Sequence, residues 1–101
     1  HTMSFDAVAY AHEELVPRLR ALCTLAESDE APDQQRFFAA VLAGIESARE
    51  PDDLADPFLQ LSMSAFQGFR FGPATDLLLD ELLALAGRLA ETLAIGPGER
   101  N

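Results

Sequence analysis

The sequence predicts an all-α fold: a single-domain, up-down four-helix bundle whose first helix is kinked by a proline. Apolar residues recur every three or four positions in four separate segments, which is the spacing of amphipathic helices. Short connections rich in proline, glycine and acidic residues separate these segments, and none of them shows the alternation typical of a strand. Helices joined by short connections pack most simply as antiparallel neighbours.

The length and composition indicate one folded domain. A chain of 101 residues, 49% of them hydrophobic, has enough apolar content to bury a core. We place the domain at residues 4–96, with residues 1–3 as a vector remnant leading into the natural start and residues 97–101 as a flexible tail. The single Cys23 excludes an internal disulfide and is typical of a reducing compartment, so we expect a cytoplasmic protein.

The charge of the chain bears on its partners. The formal net charge is −10, with 17 acidic residues against 7 arginines and no lysine. Because phosphate recognition needs clustered basic residues, this balance argues against binding to nucleic acid or to an anionic membrane. It is compatible with a basic protein partner. No segment approaches the roughly 18 apolar residues of a membrane span.

The first helix is predicted to begin at Ser4, a favourable N-cap, and to end at the acidic connection of residues 27–33. Its apolar periodicity continues through Pro17, which lies on the polar side. Because proline removes a backbone hydrogen bond and clashes with the preceding turn, we expect a kinked but continuous helix. The residues that share its apolar face are Phe5, Val8, Ala9, Ala11, Leu15, Val16, Leu19, Leu22, Cys23 and Ala26.

Prolines and glycines mark the ends of the second and fourth helices. Pro32 opens the second helix, which stops before Pro51, and Gly96 followed by Pro97 ends the fourth. Leu54, in the connection after the second helix, is expected to be buried. The up-down topology brings the first connection and the start of the fourth helix to one end of the bundle. The acidic residues expected to gather there are Glu27, Asp29, Glu30, Asp33 and Asp76.

The third helix is predicted in the least charged segment of the chain. Asp56 is a natural N-cap and Pro57 a natural first helical residue. From Pro57 to Thr75 the only charged residue is Arg70, although the rest of the chain is rich in acids. We interpret this segment as the central helix of the bundle, continuing towards Gly72.

The outer face of this third helix is predicted to be an interface. Solvent-facing helix surfaces usually contain charged residues, whereas methionine and aromatic residues are enriched in interfaces. We therefore expect a homodimer, with the fourth helix near the contact. The predicted interface residues are Met63, Gln67, Phe71, Gln60 and Arg70. The alternative for Phe71 is that it folds back over its own core at the helix end.

His12 falls in the middle of the apolar face of the first helix, close to Val8, Leu15 and Leu19. A lone histidine in such a position is usually a packed residue whose ring nitrogens find hydrogen-bond partners. We therefore expect His12 to be mostly buried and not to accept phosphate.

The residues around His12, AHEELVP, also suggest a different role. His12, Glu13 and Pro17 match a helical histidine followed by an acid and, five residues on, by a helix-bending proline. This pattern resembles the H-box of sensor histidine kinases and related phosphotransfer proteins. Glu14 and Leu15 stand where that motif has a leucine and a basic residue. The resemblance implies a phosphoacceptor His12 with Glu13 as its proton-accepting neighbour.

Together these features predict a small, acidic, non-enzymatic protein-interaction or regulatory module that self-associates. One alternative is a histidine phosphotransfer or dimerisation-type signalling domain that uses His12. Another is a small carrier that holds an apolar ligand among its phenylalanines, Phe66, Phe69 and Phe71. No catalytic residue, metal or cofactor is predicted, because the sequence has no phosphate-binding loop, no zinc ligand set and no calcium loop.

Overall fold

The computed structural model describes residues 6–63 and 68–94, which form an all-α, up-down four-helix bundle. Helix α1 consists of three consecutive segments, Ala7–Tyr10, Ala11–Leu15 and Val16–Ser28. Helix α2 spans Pro32–Glu46, a 3₁₀ turn spans Pro51–Leu54, α3 spans Ala55–Ser62 and α4 spans Pro73–Ala94. Helices α1 and α3 each pack against both α2 and α4, which closes the bundle. The predicted fold class is confirmed.

Pro17 is accommodated in α1 by a π-helical turn. Because proline has no N–H, the carbonyl of Glu13 lacks its usual α-helical donor. The segment immediately before the proline widens, and the N–H of Val16 donates to the carbonyl of Ala11, five residues back. The backbone stays in the right-handed helical region on both sides of this turn. The predicted continuity of the first helix through Pro17 is therefore confirmed.

Two helix starts are set by single residues. The Oδ1 atom of Asp6 accepts a hydrogen bond from the N–H of Ala9 at 3.0 Å and so caps α1. Pro32 occupies the first turn of α2, as predicted. The predicted cap Ser4 and the predicted stop at residues 96–97 lie outside the described residues.

The core forms along the facing sides of the four helices. Leu54 is completely buried beneath the connection that precedes α3, as the sequence predicts. The largest fully buried hydrophobic side chains, which come from every helix, are Leu15, Leu19, Leu22, Phe38, Val41, Ile45, Leu54, Leu61, Leu82 and Leu89.

Helix α3 is shorter than predicted. It ends at Ser62, and Gly68 has a φ of +75°, a left-handed conformation that an α-helix does not contain. Residues 69–72 have no helical structure. The predicted N-cap is also wrong, because the 3₁₀ turn leads directly into α3 and places Asp56 within its first turn.

The 3₁₀ turn is held by the side chain of Asp53. Its Oδ2 atom accepts hydrogen bonds from the N–H groups of Arg49 at 2.9 Å and Glu50 at 3.1 Å. These two donors stabilise the carboxylate and lower the pKa of Asp53 below its ordinary value, the Arg49 donor contributing most.

The connection between α1 and α2 meets the start of α4 at one end of the bundle. A Cβ atom placed on Gly72 would lie 3.3 Å from Oδ2 of Asp29. The predicted arrangement of the acidic connection and the fourth helix at a common end is therefore confirmed.

An ion pair links two helices along the side of the bundle. Nε of Arg18 on α1 donates to Oε1 of Glu81 on α4 at 3.0 Å.

Candidate interaction surface

The outer side of α3 exposes two large apolar side chains. Leu59 is 58% exposed and Met63, which caps the end of the helix, is 44% exposed. Residues four positions apart lie on the same side of a helix, so the two side chains are neighbours. Gln60 is exposed beside them. Of the predicted interface residues, the structure therefore brings Met63 and Gln60 together, and it adds Leu59, which was not among them.

Phe71 does not extend this apolar side of α3, because it lies beyond the helix end. It is half-buried, and its ring centroid lies 5.9 Å from that of Phe38 and 5.8 Å from that of Phe69. This geometry corresponds to the alternative in which Phe71 folds back over its own core. Arg70 is exposed, and its carbonyl accepts a 2.8 Å hydrogen bond from Nε2 of Gln34. Gln67 lies outside the described residues.

The aromatic rings at this end of the bundle pack against one another. Phe37 contacts both Phe38 and Phe69, with centroid separations of 5.5 and 5.6 Å and edge-to-face geometry. These contacts, with those of Phe71, take up space between the rings in which an apolar ligand was expected. Phe66, the remaining residue of that predicted ligand site, lies outside the described residues.

A groove of about 140 Å³ runs between α3 and α4. A Cβ atom placed on Gly87 would meet no atom of the described residues within 4 Å, so these residues leave the groove open above Gly87. Among the described residues that line the groove, none is charged. Its lining residues are Phe58, Leu61 and Ser62 from α3, and Leu83, Ala86, Gly87 and Ala90 from α4.

A close contact between α2 and α3 explains why the groove lies on the side of α3 that faces α4. A Cβ atom on Gly44 of α2 would lie 3.0 Å from Cγ of Pro57, so the glycine lets the two helices approach closely. Pro57 and Leu61 are buried, whereas Ser62 is exposed, which shows that α3 is rotated towards α2. Helix α3 accordingly packs more extensively on α2 than on α4.

His12 is exposed, so the prediction that it is buried is wrong. It lies in the π-helical turn, where the wider spacing changes the angular position of each side chain, and the α-helical periodicity used for the prediction does not apply. Its Nε2 atom lies 2.8 Å from the carbonyl oxygen of Ile45. Since a carbonyl only accepts, Nε2 carries a proton and donates this bond, which links α1 to the end of α2.

A second concavity, of about 390 Å³, lies beside His12 and is lined also by Val16, Arg20 and Glu46. The guanidinium of Arg20 and the carboxylate of Glu46 form an ion pair at 2.5 Å across it. Cys23, on the same helix, is half-buried, and burial raises the pKa of its thiol above the ordinary value. A raised pKa reduces the thiolate fraction and makes this cysteine a weaker nucleophile.

The described residues show neither a metal-binding cluster nor a membrane-spanning helix. Residues 6–63 and 68–94 contain no group of three or more His, Cys, Asp or Glu side chains that could hold a metal ion. None of the described helices combines the length and the apolar character that crossing a membrane requires.

The chain gives no significant match to a protein-family model, to a curated protein or to a solved structure. Function must therefore be inferred from the chemistry of its own surface.

Proposed function

We propose that this protein is a non-enzymatic interaction module that self-associates as a homodimer through the outer side of α3. The observation that supports this proposal is the exposure of Leu59 and Met63, one helical turn apart, in a segment almost free of charge. The corresponding outer sides of α1, α2 and α4 contain charged residues, for example Glu13, Arg36 and Glu91.

The charge of the protein restricts where two copies can meet. Each copy has a net charge of −10, so most relative orientations bring like charges together. Beyond Asp56 the outer side of α3 presents only apolar and uncharged polar groups, which lowers that repulsion. Burying Leu59 and Met63 contributes about 2 kcal/mol for each side chain, at roughly 25 cal/mol per Å² of apolar surface. In a twofold interface each contribution occurs twice.

The dimer is tested with two matched charge substitutions. Met63→Glu places a carboxylate in the proposed interface, where it meets its own symmetry mate, and we expect it to yield a monomer with unchanged helicity. Leu77→Glu introduces the same charge at a 73% exposed leucine of α4, outside this surface, and should remain dimeric. Size-exclusion chromatography with light scattering distinguishes these outcomes. Equal behaviour of the two variants would contradict the proposed interface.

Salt provides a second check on the nature of the contact. Added salt screens the repulsion between two acidic copies and leaves apolar contacts in place. The dimer should therefore tighten as the salt concentration rises. Dissociation by salt would indicate a contact made by ion pairs instead.

A second candidate function, phosphotransfer at His12, is favoured by the exposure of that side chain. Because Nε2 donates to the carbonyl of Ile45, the neutral ring has its free electron pair on Nδ1. In this proposal the Nδ1 electron pair attacks the phosphorus of a small acyl phosphate, the P–O bond to the acyl group breaks, and a carboxylate leaves. Incubation with acetyl phosphate should then label the wild type at His12, and His12→Gln should not be labelled. Equal labelling of the two proteins, or none of either, would exclude this function.

A further inference from the structure

The groove between α3 and α4 has an asymmetric charge distribution. We infer that it receives an amphipathic helix of a partner protein, with the apolar side of that helix in the groove and basic side chains along α4. This site goes beyond the proposed homodimer, which uses the outer side of α3.

The floor of the groove is suited to an apolar helix face. Phe58 and Leu83 supply apolar surface from the two walls, and Gly87, Ala90 and Ser62 are small. Small residues let a helix approach the backbone closely, and large apolar side chains of a partner fill the space that they leave.

The charges of α4 divide between its two sides. Glu81 forms its ion pair with Arg18 of α1, and Arg88 lines a different concavity together with Tyr10 of α1. Both residues therefore lie on the side of α4 that faces α1, away from the groove.

The acidic residues on the other side of α4 border the groove. Asp80 precedes the groove residue Leu83 by three positions, and Glu91 follows the groove residue Gly87 by four, so each is an immediate neighbour on the helix surface. Both are exposed. The described part of the α3 rim, by contrast, is formed by Ala55 and Leu59, which are both exposed and uncharged. An apolar floor with one acidic rim complements a helix that has an apolar stripe and a basic flank.

The proposed dimer surface adjoins the groove at Leu59. At about 100° per residue, Leu59 lies about 60° around the helix axis from Ser62, which lines the groove, and Met63 lies about 100° from Ser62, beyond Leu59. The two sites respond to salt in opposite directions, because binding of a basic helix beside Asp80 and Glu91 weakens as salt screens the attraction.

The inference is tested with a synthetic amphipathic peptide of leucine and lysine, about 18 residues or five helical turns long. A fluorescent label reports binding by anisotropy, and a peptide with glutamate in place of lysine serves as the charge control. We expect the lysine peptide to bind with a Kd of about 1–10 μM, the range of a modest helix-in-groove contact, and the glutamate peptide not to bind.

Two leucine substitutions separate the groove from general attraction to an acidic protein. Gly87→Leu adds an apolar side chain at the groove, at a position where the Cβ atom meets no described atom within 4 Å, and should weaken peptide binding by about tenfold or more. Ala39→Leu adds the same side chain to an exposed position of α2 and should change Kd by less than about twofold. Asp80→Asn with Glu91→Gln should weaken binding and flatten its salt dependence.

Three results would overturn the inference. The first is no binding of the lysine peptide to the wild type. The second is equal binding to wild type and Gly87→Leu, which would show attraction to the acidic surface alone. The third is conversion of a dimer to a monomer by Gly87→Leu, which would show that a second copy occupies the groove.

Discussion

The contact between Gly44 and Pro57 gives a sharp stability test, because Gly87 provides a matched control. Both glycines lie inside helices, Gly44 in α2 and Gly87 in α4. Substitution by alanine has the same intrinsic effect in both, since it removes the conformational cost of glycine in a helix. Only the surroundings differ. At Gly44 the new Cβ atom would lie 3.0, 3.6 and 3.8 Å from three ring carbons of Pro57, and at Gly87 it would meet nothing within 4 Å.

The magnitude follows from these distances. Alanine in place of glycine stabilises a helix interior by about 1 kcal/mol, which is the full effect expected for Gly87→Ala. A carbon–carbon separation of 3.0 Å is well inside the optimum of about 3.5–4.0 Å, and overpacking costs about 1–3 kcal/mol. Gly44→Ala should therefore be destabilising by about 0–2 kcal/mol. The two variants should differ by about 1–3 kcal/mol.

Thermal and urea unfolding followed by far-UV circular dichroism measure this difference. A change of 1 kcal/mol corresponds to about 4–8 °C in Tm for a domain of this size. All proteins must be compared at one concentration, because self-association raises the apparent stability. If Gly44→Ala raised Tm as much as Gly87→Ala does, the close approach of α2 and α3, and with it our explanation of the groove, would be wrong.

Three further predictions concern one histidine, one aspartate and one cluster of acids. His12→Ala should lower the free energy of unfolding by about 1 kcal/mol, because it removes the hydrogen bond to the carbonyl of Ile45. That carbonyl keeps a second donor, the N–H of Ala48 at 3.2 Å, so it is not left without a partner. An unchanged urea midpoint would contradict this prediction. Because the pKa of Asp53 is lowered by folding, its stabilisation is complete above the unfolded pKa of about 4 and is lost as pH falls through the folded pKa. The Tm advantage of wild type over Asp53→Asn should therefore shrink in acid, and a constant difference would refute the shift. Neutralising three exposed acids before and within the first turn of α2, Asp29, Glu30 and Asp33, should change Tm by less than about 8 °C, since an exposed ion pair contributes about 0–1 kcal/mol. A larger fall in Tm would show that this cluster is structural.

The sequence predicts most of the fold because local and tertiary preferences agree. The apolar periodicity of α2, the proline in its first turn and the burial of Phe38, Val41 and Ile45 all point to one structure. The end of α3 could not be predicted in this way. A lone glycine such as Gly68 is tolerated within helices at about 1 kcal/mol, so its presence does not reveal that its φ is positive.

The exposure of His12 could not be predicted because the π turn has no reliable sequence pattern of its own. The missing N–H of Pro17 predicts a local disruption, and the structure shows that the disruption takes the form of a five-residue backbone spacing. An α-helical projection then assigns His12 to the wrong side of α1. Pro17, five residues after His12, marks the place of the disruption in the sequence but does not specify its form.

The surface features of α3 and α4 were predicted only in part. The predicted position of Gln60 and Met63 on the outer side of α3 agrees with their exposure, and their role as interface residues stays a prediction. The groove was not predicted, because it depends on the rotation of α3 towards α2. It also depends on Gly87 and Ala90, small residues that leave room between the two helices. Such space depends on the relative placement of helices, which periodicity within one helix does not specify.

Sedimentation equilibrium of the unmodified protein tests the proposed self-association most directly. Runs at several loading concentrations up to tens of micromolar give the mass and the dissociation constant together. The proposed function predicts a mass of twice the 11.0 kDa of one chain, rising towards that value with concentration and with added salt. A mass of one chain at every concentration would contradict it, and Leu59 and Met63 would then be exposed apolar residues without a partner copy.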